Sequence, residues 1–83
     1  MTLLYFAWVR EAIGTGEETV ALPDDVATVD QLLAWLRTRG DGYTQALAEP
    51  ERIRVAVNQD YVGTDAAVTD ADEVAIFPPV TGG

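Results

Sequence analysis

Cysteine, histidine and lysine are all missing from this chain of 83 residues. Without cysteine there can be no disulfide, thiolate metal site or cysteine nucleophile. Without histidine the usual zinc ligand and the commonest general base are gone. Without lysine there is no side-chain amine, and the five basic residues are all arginines: Arg10, Arg37, Arg39, Arg52 and Arg54. Fourteen acidic residues outnumber them, for a net charge of −9. Nucleic-acid binding needs clustered cations to neutralise phosphate, so that class is excluded. An acidic surface suits a partner with a basic groove, or serves only to keep a small protein soluble. There is no apolar stretch long enough to span a bilayer and no basic-then-apolar leader. No membrane association is expected, and a soluble, cytoplasmic protein is.

Eighty-three residues make one small domain with a modest core. Any chemistry is expected at an edge, at a terminus or at a joint with a partner. Leu3–Trp8 is aliphatic and aromatic on both alternating faces and predicts a central strand. Gly14-Thr15-Gly16 is turn chemistry, and Glu18–Leu22 reads as a second strand, so the two suggest a hairpin. Thr28 and Gln31 form a capping box ahead of a helix whose apolar stripe is Val29, Leu32, Leu33 and Leu36. Gly40 supplies its C-terminal stop, and Arg37 and Arg39 complement its dipole. Tyr43–Ala48 suggests a further helical turn. Ile53, Val55 and Val57 alternate as in a half-buried strand, Asn58-Gln59-Asp60 is a turn, and Tyr61-Val62 with Val68 suggests a short edge strand. Glu73–Phe77 is the last strand, ended by Pro78-Pro79, which cannot donate to a ladder. This order predicts an α+β, β-grasp (ubiquitin-like) fold: a mixed sheet of four to five strands packed by one main helix, with the first and last strands side by side. The expected division is a domain over 1–77 and an extended tail over 78–83.

The tail is Pro78-Pro79-Val80-Thr81-Gly82-Gly83. Two prolines favour an extended, stiff exit. Two terminal glycines have no side chains, so this end can thread a narrow channel, with Gly82 and Thr81 as the threading residues behind Gly83. A terminal Gly-Gly arises by chance at roughly 0.5% from average usage, so it needs its context. That context is its place directly after the last strand of a ubiquitin-like pattern. With no cysteine, histidine or lysine to offer, the chain's best candidate for chemistry is the terminal carboxylate on Gly83. ATP can activate it as an acyl-adenylate, and a sulfur donor can convert that to a thiocarboxylate.

The closing segment Asp72-Glu73-Val74-Ala75-Ile76-Phe77-Pro78-Pro79-Val80-Thr81-Gly82-Gly83 resembles the end of the small, sulfur-carrying subunit of molybdopterin synthase. Leu4-Tyr5-Phe6-Ala7-Trp8-Val9-Arg10-Glu11 with Gly14, and Val57-Asn58-Gln59, are similar to the same family. The resemblance implies that an E1-like, ATP-dependent adenylyltransferase activates Gly83 and that a sulfur donor protein completes the thiocarboxylate. The tail then enters the large synthase subunit, in a heterotetramer. There it delivers sulfur to cyclic pyranopterin monophosphate to build the molybdopterin dithiolene. This chain would be the sulfur-donating subunit, with the catalytic residues on the large one. Trp8 and the lack of lysine are not tied to the family pattern.

Other residues have two readings each. Phe6 and Phe77, on the presumed neighbouring strands, suit core or sheet-face packing, or partner contact. Pro78, Pro79 and Val80 lie outside the expected core and suit an apolar partner contact. Arg10 with Glu11 suits an interface ion pair or a solvated turn. Phe6, Arg10, Phe77, Pro78, Pro79 and Val80 together are the candidate partner interface. Trp35 suits packing. Asp24-Asp25 and Asp70-Ala71-Asp72 lack an EF-hand pattern and sit where turns need caps, so no metal site is expected, and no cofactor. The alternatives to the synthase reading are a carrier for thiamin thiazole or another sulfur-requiring pathway, a ubiquitin-like modifier forming isopeptides on target lysines, and a β-grasp interaction module with an inert tail.

Overall fold

The last strand organises the fold. In the computed structural model, which describes residues 1–79, β5 (Glu73–Phe77) lies at the centre of a five-stranded sheet. It runs parallel to β1 (Thr2–Tyr5) and antiparallel to β3 (Arg54–Val57). The edges are β2 (Glu17–Thr19), antiparallel to β1, and β4 (Asp60–Val62), antiparallel to β3, so the strand order is β2-β1-β5-β3-β4. This is the β-grasp arrangement, with the first and last strands adjacent as the sequence predicts. A parallel pair buried at the centre of a sheet needs apolar residues on at least one face, and Leu3, Tyr5, Val74 and Ile76 supply them.

Helices cover that face: α1 (Ala7–Ile13), α2 (Val29–Arg37) and α3 (Asp41–Ala46), with a 3-10 turn at Pro50–Arg52. In α2 the predicted capping box is present: Gln31 N–H donates to Thr28 Oγ1, and Thr28 N–H donates to Gln31 Oε1. Its whole predicted stripe, Val29, Leu32, Leu33 and Leu36, is buried against the sheet. Full burial of each such side chain stabilises the fold by about 1.5–3 kcal/mol.

The first third of the chain departs from the prediction. The strand expected over Leu3–Trp8 stops at Tyr5, and Phe6 is the N-cap of a helix. The apolar residues Trp8, Val9, Ala12 and Ile13 recur at helical spacing and pack on the core, while Arg10 and Glu11 face solvent. β1 and β2 are therefore antiparallel neighbours joined through a helix, not a tight hairpin. Gly14 is the left-handed cap of α1 (φ 96°), its N–H donating to Arg10 O at 2.8 Å. β2 spans three residues and ends before Val20 and Leu22. Gly40 does not stop α2, which is capped at Thr38. It starts α3 instead, at φ 155°. Gly42 permits the close approach of α3 to α1: a Cβ there would stand 2.3 Å from Ala12 O. Val68 is buried in a loop beside the bridge Thr28–Ala67 rather than in a strand.

Candidate docking face and tail exit

Alternate residues of the sheet point away from the helices. Register places Leu4, Ala75, Ala56 and Tyr61 in one row across β1, β5, β3 and β4, with Arg54 opposite Phe77 one step nearer the tail. Among the described residues, Tyr61 (78% exposed) and Phe6 (49%) are the large hydrophobic side chains left in solvent. Tyr61 leans on Phe77, ring centroids 5.5 Å apart at 40°. Phe77, Pro78 and Pro79 are half-buried. An apolar strip thus runs from the β4 edge to the end of β5 and the two prolines that follow it. Exposed aromatics gathered in one place mark an interaction surface better than scattered ones do.

β5 holds that exit in place. Its ladders to β1 and β3 fix Ile76 opposite both Tyr5 and Val55, and Phe6 N–H donates to Ile76 O at 3.2 Å. Phe6 follows Tyr5 as Phe77 follows Ile76, so the two phenylalanines occupy equivalent positions at the ends of the parallel pair. Neither is core: Phe6 is exposed and Phe77 half-buried. The packing reading holds for Phe77 as sheet-face contact with Tyr61 and fails for Phe6. Val80, Thr81, Gly82 and Gly83 lie outside the described residues.

The arginines near the exit are restrained. Arg54 folds back, its Nη1 donating to Ile53 O (2.8 Å) and Glu51 O (3.1 Å). Arg52 stacks 5.4 Å from the Trp8 ring and reaches Glu49 at 3.5 Å. Arg10 sits on the exposed side of α1, over Gly16, whose Cβ would approach Arg10 Nε to 3.2 Å. Arg10 and Glu11 are on a helix rather than the expected turn, and they do not pair with each other among the described residues.

On the covered side the polar groups are satisfied. Tyr5 and Tyr43 hydroxyls both donate to Glu18 Oε2, at 2.7 and 2.6 Å, and Arg39 Nη1 donates to Glu18 Oε1 at 2.9 Å. Burial works to raise the Glu18 pKa, but the hydrogen bonds from Tyr43, Tyr5 and Arg39 outweigh it and hold it below the ordinary range. Burial first, then the Glu18 carboxylate, push the Tyr5 hydroxyl well up. Trp35 is half-buried under Arg39, 5.2 Å from its guanidinium carbon, in the packing role predicted. This network ties the β2 edge to α2 and α3, and an inward-pointing charge on an edge strand also discourages edge-to-edge pairing.

The acidic turns act as caps. Asp70 accepts from Leu22 N–H (2.7 Å) and the Met1 ammonium (3.2 Å), which lower its pKa in that order. Asp72 accepts from Asn58 Nδ2 (2.9 Å) and Thr69 N–H (2.8 Å), and its pKa is lowered too, the Asn58 amide contributing most. Among the described residues no three potential metal ligands gather. No helix there is long and apolar enough to cross a membrane.

Sequence reasoning missed Tyr61 as a surface residue. The turn was legible but its register was not: Asn58 and Gln59 both take positive φ (51° and 73°), closing a two-residue hairpin turn that sets Tyr61 opposite Ala56 and thus on the open face.

Set against known proteins, residues 3–83 match the model of the ThiS family. The chain belongs to the ThiS family. Among its relatives is the Escherichia coli (strain K12) protein named molybdopterin synthase sulfur carrier subunit. It is 46% identical over 81 residues, covering 98% of this chain and 96% of that one. The Haemophilus influenzae protein of the same name is 41% identical over 83 residues, covering 100% and 99%. Among solved structures, the solution structure of the Haloferax volcanii HVO 2177 protein superposes with a TM-score of 0.76 at 34% identity, covering 99% of this chain and 84% of that one. The family match thus takes in nearly the whole chain, Gly82 and Gly83 included.

Proposed function

We propose that this chain is the sulfur-carrier subunit of a molybdopterin synthase, with residues 78–83 as its working tail. The observation that carries the reading is full-length similarity to relatives of that name, with Gly82-Gly83 included in the family match. In this reading the Gly83 carboxylate attacks the α-phosphorus of ATP, releasing pyrophosphate and forming an acyl-adenylate on an E1-like adenylyltransferase. Sulfur from a donor protein, carried as a persulfide, attacks the acyl carbon and AMP departs. A thiol then cleaves the S–S bond of the resulting acyl disulfide, is itself oxidised to a disulfide, and leaves the thiocarboxylate. The large synthase subunit receives the tail, with two carriers in a heterotetramer, and its residues handle the protons of dithiolene formation on cyclic pyranopterin monophosphate. Tethering raises the effective concentration of the sulfur nucleophile at that site. Phe6, Tyr61, Phe77, Pro78 and Pro79 supply the apolar docking face, with Val80 and Arg10 as further partner contacts. Thr81 and Gly82 pass through the channel.

The test is intact-mass analysis of the protein made in a sulfur-replete host with a competent activating enzyme. One oxygen replaced by sulfur at Gly83 is the expected product, and its persistent absence would sink the carrier reading. Deleting Gly83 is expected to abolish sulfur delivery while leaving the melting curve unchanged, because a chain terminus contributes little to the core. Incubating the thiocarboxylate form with the large subunit and the pyranopterin precursor separates the pathways: dithiolene formation supports the synthase, and its absence favours the thiazole or another sulfur pathway. Isopeptides on target lysines would mark a modifier.

A further inference from the structure

The turn from β1 into α1 is made by one strained residue. Ala7 has φ 53°, in the left-handed region. Among the described residues, the other non-glycine residues there are Asn58 and Gln59, in the β3–β4 turn. Asparagine tolerates this region because its side chain hydrogen-bonds locally, whereas alanine has no such compensation. Packing does not demand the methyl group either, since Ala7 is exposed. Glycine would adopt the same backbone at no steric cost.

The neighbours of Ala7 show what the turn achieves. Tyr5 is buried (1%), Phe6 is exposed, and Val9 is fully buried again. Phe6 is extended (φ −129°, ψ 154°), its N–H held by Ile76 O on β5. Its own carbonyl accepts from Val9 N–H (3.2 Å) and Arg10 N–H (3.4 Å) in the first turn of α1. The backbone of Phe6 is thus clamped on both sides: its extended conformation continues the alternation of β1 and turns the ring outward, and the sharp reversal at Ala7 starts α1 directly behind it.

We infer that Ala7 is a positioning residue: its restricted left-handed backbone holds Phe6 out at the base of the tail, preformed for the partner. This rests on the docking face proposed above. Preformed contact residues improve affinity by removing the cost of ordering them on binding. Glycine at position 7 would keep the turn, release the strain and lose the restriction.

Three proteins test this: wild type, Ala7→Gly, and a synthetic chain carrying D-alanine at position 7, whose preferred region is left-handed. Backbone 15N order parameters at Phe6, residue 7 and Trp8 need no partner. We expect them to fall in Ala7→Gly, with an unchanged or higher melting temperature, and to match wild type with D-alanine, with a higher one. Titration with the large synthase subunit is expected to show affinity reduced roughly two- to fivefold for Ala7→Gly, the cost of holding one glycine still. The D-alanine chain is expected to bind as wild type does. Unchanged order parameters in Ala7→Gly would overturn the inference and make Ala7 a tolerated residue only. A lower melting temperature would overturn it too, by making the methyl a packing group. Phe6→Ala separates the two readings: if it binds the subunit as tightly as wild type, the docking face is wrong, while the order parameters still decide the role of Ala7.

Discussion

The two faces of the sheet are made by alternate residues of the same strands, yet they follow opposite rules. On the helix side Leu3, Tyr5, Val55, Val74 and Ile76 are buried, and the one hydroxyl among them is bonded to Glu18. On the open side Leu4, Tyr61, Ala75 and Phe77 stay partly or largely in solvent, beside Phe6. Tyr5 and Phe6 show the contrast at adjacent positions: one aromatic ring is buried in the core, and the next is left in solvent. Core packing and surface exposure are separable in this molecule because a strand's period of two sorts residues onto different faces.

Substitutions should break along that line. The largest stability loss is expected at Ile76, fully buried in the central strand: Ile76→Ala should cost about 2–5 kcal/mol, read by urea unfolding. Next comes the covered-side network. Glu18→Ala leaves the Tyr5 and Tyr43 hydroxyls without their acceptor and should cost about 1–3 kcal/mol. The same network predicts a pH dependence. Glu18, Asp70 and Asp72 all have pKa values lowered by folding, so the unfolded chain binds protons first as pH drops. Their stabilisation is complete above the ordinary carboxylate range of about 4 and is lost as pH falls through the lower folded-state values. Unfolding measured across that window should show a shallower fall for Glu18→Gln than for wild type. The smallest stability effect is expected on the open face. Tyr61→Ala removes a tilted aromatic contact with Phe77 and should cost about 1 kcal/mol or less. Its binding effect should be larger, about 2 kcal/mol in titration with the large subunit if Tyr61 is an anchor of the interface. A Tyr61→Ala protein that unfolds early but docks normally would reverse the comparison.

The parts legible in the sequence were those specified locally. The α2 capping box lies within four consecutive residues, and β5 is bracketed by a polar turn and two prolines. The central pairing of β1 with β5 followed from the element order. What escaped was set by a single backbone torsion or by distance. Leu3–Trp8 reads as continuous strand because nothing in an alanine announces a left-handed turn at position 7. The helical repeat of Trp8, Val9, Ala12 and Ile13 was there, but hidden behind an apolar run that also fits a strand. The Glu18 network joins residues 13, 21 and 25 positions apart, which no local pattern reveals. The candidate interface was half legible. Phe77, Pro78 and Pro79 stood out by position, while Tyr61 joins them only once the β3–β4 hairpin closes. Gly83 lies outside the described residues, and its proposed role rests on its place at the end of the ThiS-family match.

The clamped position of β5 also has a mechanical side. A load applied to the end of this strand runs along its axis, so the ladders to β1 and β3 are strained in shear and their hydrogen bonds share the force. A strand at the sheet edge, pulled outward, would open one bond at a time. Forced unfolding is governed by the height of the unfolding barrier rather than by equilibrium stability. A domain pulled from the end of β5 is therefore held by two ladders loaded in shear at once.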